Sequence, residues 1–232
     1  MRKLSRVVRP KKKAAQPRDE KAAPKKGKGR VVKKTSVLAA PAPANPVQMM
    51  LRAASFAARK HQGQTRADNV TPYFSHVARV TLILTHVFGC EDEEVLTAAL
   101  LHDTIEDTAT DYDEVAELFG ARVADYVATL TKNVRLPKDK REEEYAVGLA
   151  AAPEAVMIAK MADLYDNLSD RVHSPKLRKT AATAERLLAL FGERIETRIG
   201  LSAHAKLTAL LEEVKTLQRA ETVSGNPDVG HD

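Results

Sequence analysis

From Val47 to Leu217 the apolar residues of this chain recur three and four positions apart, and nowhere do they alternate with polar ones over the length of a strand. That period lays one apolar stripe along a helix, whereas a half-buried strand needs alternation. No hairpin-type dipeptide joins two apolar runs, so the chain is predicted to be all-α. The first helix opens at Asn45, whose side chain can accept from the free N–H groups of the first turn, with Pro46 in the first helical position. A second helix covers Ser75–Phe88 and stops before Gly89, and Asp92 caps a third that buries Val95 and Ala98–Leu101. Asp111 and Glu114 have the spacing of a capping box for a short helix ending at Gly120. Further helices are predicted over Ala121–Leu130, Glu142–Ala150, Pro153–Leu168, Leu177–Ile199 and Ser202–Leu217. So many amphipathic helices can bury one sizeable core as a bundle.

The charge is divided unevenly along the 232 residues. Residues 1–46 hold 15 of the 37 Lys and Arg but only Asp19 and Glu20 among the acids, so they carry +13 and the remainder carries −7. They also hold six of the 11 prolines and no aromatic residue, too little apolar surface to offset the entropy of ordering. The expectation is a disordered basic tail over 1–46, one folded domain over 47–220, and a frayed polar end over 221–232. Three readings of the tail stay open: an arm that contacts RNA, DNA or another polyanion, a solvated extension before the true start, or a transit peptide. The lysine-rich, proline-broken pattern gives no amphipathic helix and speaks against the third. One cysteine, Cys90, excludes a disulfide framework and a thiolate zinc cluster and fits a reducing compartment. No apolar run approaches the ~18 residues of a membrane span and no signal peptide is visible, so a cytoplasmic protein without a membrane partner is expected. The oligomeric state is left open.

Chemistry concentrates in the acidic body. The apolar run Ala98–Leu101 is interrupted by His102–Asp103 and then by Glu106–Asp107. Unpaired buried charge costs several kcal/mol, and a metal ion would remove that cost. An adjacent imidazole and carboxylate can serve one ion, and a continuing helix would bring Glu106 and Asp107 to the same face as Asp103. Taken alone, a polar helix end is better explained by solvation. His76, at the entry of an apolar helix, and Asp163, among Met157, Ile158, Met161 and Leu164, are further candidates. An aspartate in the apolar part of a helix is uncommon, although Asp163 could equally pair with Lys160 on a solvated stripe.

The order His76, His102–Asp103, Asp163 resembles the signature of the HD-domain metal-dependent phosphohydrolases. The segments Ala57–Arg66, Thr71–His76, Ala98–Thr108 and Lys160–Leu168 are similar to the branch that hydrolyses guanosine alarmones, (p)ppGpp, and most to its stand-alone small members. The resemblance covers about residues 50–171. It implies a single HD-domain helical bundle and one Mn(II) ion held by His76, His102, Asp103 and Asp163. By ligand type zinc or iron would also suit two imidazoles and two carboxylates. It further implies that Glu106 and Asp107 orient and deprotonate a water acidified by the ion, and that Asn167 and Arg66 contact the nucleotide. The reaction implied is (p)ppGpp plus water giving GDP or GTP plus pyrophosphate.

Four departures from the family pattern stand out. Ala67 replaces a lysine, which removes one contact or leaves it to Lys60. The loop Asp68–Asn69–Val70 lacks its usual glycine, and Leu164 follows Asp163 where a basic residue is common. Asp166 stands where a histidine is common and is expected to place a negative charge near an anionic substrate. His61 is expected to act behind the ligands at most. His86, His173, His204 and His231 have no partner pattern, Cys90 is expected to be inert, and Met157 and Met161 to fill core. The run Glu142–Glu144 reads as a solvated helix start. Two rival functions remain: an HD phosphohydrolase of another nucleotide or 3′-phosphorylated cofactor, and a non-catalytic nucleotide- or RNA-binding protein working through its basic tail.

Overall fold

The helix starts seen in the sequence are built as caps. The structure, a computed structural model, describes residues 45–170, 174 and 176–224. The basic tail, up to residue 44, and the polar end from residue 225 lie outside the described residues. Asn45 Oδ1 accepts the Val47 N–H at 2.9 Å and opens α1 (Pro46–Lys60). Asp92 Oδ1 accepts from Glu94 and Val95 at 3.0 and 3.2 Å and opens α3 (Glu93–Leu101). Between them lies α2 (Phe74–Leu82). Asp92→Ala should therefore cost about 1 kcal/mol, a melting temperature lower by roughly 2–4 °C in thermal unfolding.

The chain continues through α4 (Thr104–Asp107), α5 (Tyr112–Phe119), α6 (Ala121–Leu130), α7 (Lys138–Ala151), α8 (Glu154–Asp170), α9 (Leu177–Gly192) and α10 (Arg198–Ser224). Apart from one isolated bridge between Thr65 and Pro72, the described residues contain no strand pairing, so the all-α class holds. Helix α8 is the hub: it packs against α2, α3, α6, α9 and α10, and buries Met157 and Met161 completely, as their spacing predicts. Helices α1, α2 and α6 close over α3, and Phe56 meets Phe119 edge to face at 5.4 Å.

Three local features differ from the sequence-based expectation. The predicted second helix is α-helical only to Leu82; Ile83–Phe88 widens into a π-helical turn, which ends at Gly89 in the left-handed region (φ 76°). The predicted Leu177–Ile199 helix breaks after Gly192. The chain turns so that Ile195 is buried and Thr197 donates both its N–H and its hydroxyl to the Glu154 carboxylate. Gly200 lies at that crossing, where an added Cβ would meet the Glu154 carboxylate and Ile195 Cγ2, so a larger residue would have to push both side chains aside. Apolar spacing runs unbroken through Phe191, Ile195 and Ile199, which hides the break. The capping box is half formed: Asp111 Oδ1 accepts the Glu114 N–H at 2.8 Å, while the Glu114 carboxylate turns to Lys60 Nζ at 2.7 Å.

Candidate metal centre and catalytic pocket

Three mutually packed helices deliver four donors to one place: His76 from the first turn of α2, His102 and Asp103 from the end of α3, and Asp163 from the middle of α8. His76 Nε2 lies 3.1 Å from Asp163 Oδ1 and 3.6 Å from Asp103 Oδ2. His102 Nε2 lies 3.0 Å from Asp103 Oδ2 and 3.9 Å from Asp163 Oδ1. The imidazoles are 2% and 5% exposed, and both are oriented from behind. His102 Nδ1–H donates to the Ala99 carbonyl at 2.8 Å, and His76 Nδ1–H donates to Asp166 Oδ2 at 2.6 Å. Each Nε2 therefore turns toward the carboxylates, and that of His102 is buried 3.0 Å from Asp103 Oδ2 without a well-directed hydrogen bond.

The electrostatics describe a place prepared for positive charge. Burial pulls the His102 pKa down, but the Asp103 carboxylate overrides it and lifts the imidazole to about 9. Burial pushes the Asp103 and Asp163 carboxyls up, yet His102 holds the first, and Lys160 with His76 the second, well below the usual carboxylate range. A proton on His102 would offset part of the charge of the two carboxylates. A divalent cation does the same with the imidazoles neutral, so the donor set fits such an ion.

The donors line a cavity of about 390 Å³. Glu106 and Asp107 also line it, brought there by the kink at His102–Asp103 and the single turn of α4 rather than by one continuous helix. Glu106 Oε2 accepts the Lys132 N–H at 2.9 Å, and burial raises its pKa despite that bond. Burial, and then the charge of Asp103, raise Asp107 as well. Lys132, Lys160, Lys176 and Lys179 line the same cavity. Lys160 Nζ holds Asp163 Oδ2 at 2.7 Å in a buried pair, not on a solvated stripe. Tyr145 sits between Lys132 and Lys160, whose ammonium groups lie 5.2 and 5.3 Å from its ring centre.

Other predicted residues are placed differently. Asn167 lines the cavity, but its Nδ2 donates to Asp163 Oδ1 at 2.6 Å and so steadies a metal-ligand candidate. Arg66 is not among the cavity-lining residues: its guanidinium is bound to Asp170 at 2.7 Å and reaches Asn167 Oδ1 at 3.4 Å. Lys60 is also outside the lining, held by Glu114. Asp166 does not add charge to the substrate side; it is 1% exposed and faces His76 and Arg79 on the far side of the ligands. Glu142, read from the sequence as solvated, lines the cavity and lies 3.4 Å from Lys132 Nζ. The glycine-free loop is made feasible by Asn69, which takes the left-handed conformation (φ 60°), while Asp68 accepts from the Val70 and Thr71 N–H groups.

Sequence reasoning passed over Tyr73, whose hydroxyl donates to Asp103 Oδ2 at 2.6 Å and whose ring stacks on His61 at 4.9 Å between centres. It also passed over Lys132, Lys176 and Lys179, and weighed Lys160 only as a surface partner of Asp163. Lys160, one turn before Asp163, carries a local signal; Lys132, Lys176 and Lys179 look like surface lysines until α7 and α9 are placed.

The chain is similar to several known proteins. The family model of the HD domain matches residues 53–191. Human guanosine-3′,5′-bis(diphosphate) 3′-pyrophosphohydrolase MESH1 is 45% identical over 122 residues, which are 52% of this chain and 68% of the human protein. The guanosine-3′,5′-bis(diphosphate) 3′-pyrophosphohydrolase of Aquifex aeolicus is 40% identical over 120 residues, 50% of this chain and 17% of that larger protein. A solved metazoan orthologue of SpoT, described as hydrolysing ppGpp, superposes with a TM-score of 0.63 at 28% identity, covering 77% of this chain and 98% of its own. No helix among the described residues is long and apolar enough to cross a membrane.

Proposed function

This chain belongs to the HD domain family, and from that premise we infer that it is a guanosine-3′,5′-bis(diphosphate) 3′-pyrophosphohydrolase, converting (p)ppGpp and water to GDP or GTP and pyrophosphate. The observation that carries this reading is the convergence of His76, His102, Asp103 and Asp163 in a cavity that also presents Glu106, Asp107 and four lysines. The four donors would hold one divalent ion, and two nitrogens with two carboxylate oxygens suit Mn(II). Such an ion, when bound, acidifies a water and offsets phosphoryl charge.

The remaining work falls to the chain's own side chains. Glu106 keeps Oε2 on the Lys132 N–H, leaving Oε1 to take the proton of the attacking water. Its raised pKa makes it a better base than an exposed carboxylate. Asp107 beside it orients that water. Attack falls on the phosphorus bonded to the ribose 3′ oxygen, that P–O bond breaks, and the proton taken from the water passes on to the 3′ oxygen as pyrophosphate leaves. Lys132, Lys176 and Lys179 line the cavity where the phosphates enter, a role the sequence reading gave to Lys60. Asn167 holds Asp163 and flanks the nucleotide, and Arg66 braces Asn167 from behind.

The test is turnover. Purified protein with Mn(II) and radiolabelled ppGpp should release pyrophosphate and GDP in equal amounts, with chelator stopping the reaction. Turnover confined to a different nucleotide would defeat the alarmone assignment, and no turnover of any nucleotide would defeat the enzyme reading.

A further inference from the structure

Asp166 neighbours the cavity-lining Asn167 in sequence yet is spent on the opposite side of the metal-ligand candidates. Its Oδ2 accepts His76 Nδ1–H at 2.6 Å and its Oδ1 accepts Arg79 Nε–H at 2.6 Å. The contacts continue. Arg79 Nη1 donates to Asp170 Oδ1 at 2.9 Å, and Asp170 Oδ2 accepts Arg66 Nη2 at 2.7 Å. Arg66 Nη2 reaches Asn167 Oδ1 at 3.4 Å, and Asn167 Nδ2 donates to Asp163 Oδ1 at 2.6 Å. A path that leaves one ligand candidate, His76, thus returns to another, Asp163.

We propose that Asp166, anchored by Arg79, is a positioning residue for the metal centre: it locks His76 with its proton on Nδ1 and its Nε2 lone pair toward the ion, and strengthens that nitrogen as a donor. The proposal rests on the hydrolase reading above. The two imidazoles of the site differ in this respect. His102 is backed by the neutral carbonyl of Ala99, while His76 is backed by a full carboxylate. A carboxylate behind a ligating imidazole fixes its tautomer and raises its basicity, and loss of such a partner typically costs about 10–100-fold in metal affinity. Burying Asp166 is tolerable because Arg79 binds it directly and Arg66 Nη2 lies 3.6 Å from its Oδ2. The same arrangement explains how an extra acid can sit beside a site for an anionic substrate: its charge is spent on His76 and two guanidinium groups.

The measurement is Mn(II) affinity of the full chain by calorimetric titration, with far-UV circular dichroism of the metal-free protein as the check on folding. Asp166→Asn, nearly the same size, should raise the Mn(II) Kd by about 10–100-fold, and saturating Mn(II) should restore most of the turnover. Arg79→Gln should shift the Kd the same way by a smaller factor, and it decides the matter if Asp166→Asn does not fold. Wild-type affinity in both variants overturns the positioning role, as does turnover that stays lost at saturating Mn(II). A wild-type chain that binds no divalent ion overturns the hydrolase reading itself.

Discussion

Asp103→Ala is expected to abolish divalent-metal binding and to lower ppGpp turnover to below about one thousandth of wild type, a barrier increase of roughly 4 kcal/mol. Asp103 Oδ2 lies 3.0 Å from His102 Nε2 and 3.6 Å from His76 Nε2, and it accepts from the Tyr73 hydroxyl. Asp103 and Asp163 both approach the two imidazoles, but Asp103 is the one not paired with Lys160. Removing it leaves one carboxylate, Asp163, that is already neutralised by Lys160, so the centre loses most of its attraction for a dication. Melting curves with and without Mn(II) give a readout independent of activity. Wild type should gain melting temperature with rising Mn(II), by the mass action of a ligand that binds only the folded state, and the variant should gain none. A variant that still shows the full metal-dependent shift would place the ion elsewhere.

Why Asp103 matters was partly visible in the sequence. A histidine and an aspartate interrupting Ala98–Leu101 demand compensation, and that argument is local. Which distant residues complete the set was not local. His76, Asp103 and Asp163 are brought together only because α2, α3 and α8 pack against one another. The resemblance to HD proteins supplied what periodicity could not. Caps were legible for the same reason as the His-Asp interruption: Asn45, Asp92 and Asp111 act within three residues of themselves. The break after Gly192 was not, because Glu154, from another helix, draws Thr197 out of register. Side-chain direction was the other blind spot. Asp166 and Arg66 were assigned toward the substrate from their place in a motif. In the structure both lie in a charge network behind Asn167, which forms where α2 and α8 are side by side. A net charge of +6 on its own points to a polyanion partner, but it averages a basic segment with the acidic body where every candidate ligand lies.

Glu106→Gln separates binding the metal from using it. Glutamine keeps the size of the side chain, and its carbonyl oxygen can still accept the Lys132 N–H that Glu106 Oε2 takes at 2.9 Å. None of His76, His102, Asp103 or Asp163 bonds to it, so Mn(II) affinity should stay near wild type. What disappears is the proton acceptor, and kcat should fall by about 10²–10⁴-fold with little change in KM. Stability should move the other way. Burial raises the folded-state pKa of Glu106, so the folded protein holds that proton more tightly than the unfolded chain. An ionised Glu106 therefore destabilises the fold at pH above its folded pKa, and the penalty vanishes below the unfolded value near 4.3. In metal-free urea unfolding the glutamine variant should be more stable than wild type at pH 7, with the difference closing toward pH 4. An inactive, metal-competent and more stable variant is the signature of a carboxylate kept half-buried for its chemistry. Normal turnover in excess Mn(II) would remove Glu106 from the mechanism, and metal affinity falling in step with turnover would make it a support of the metal centre instead.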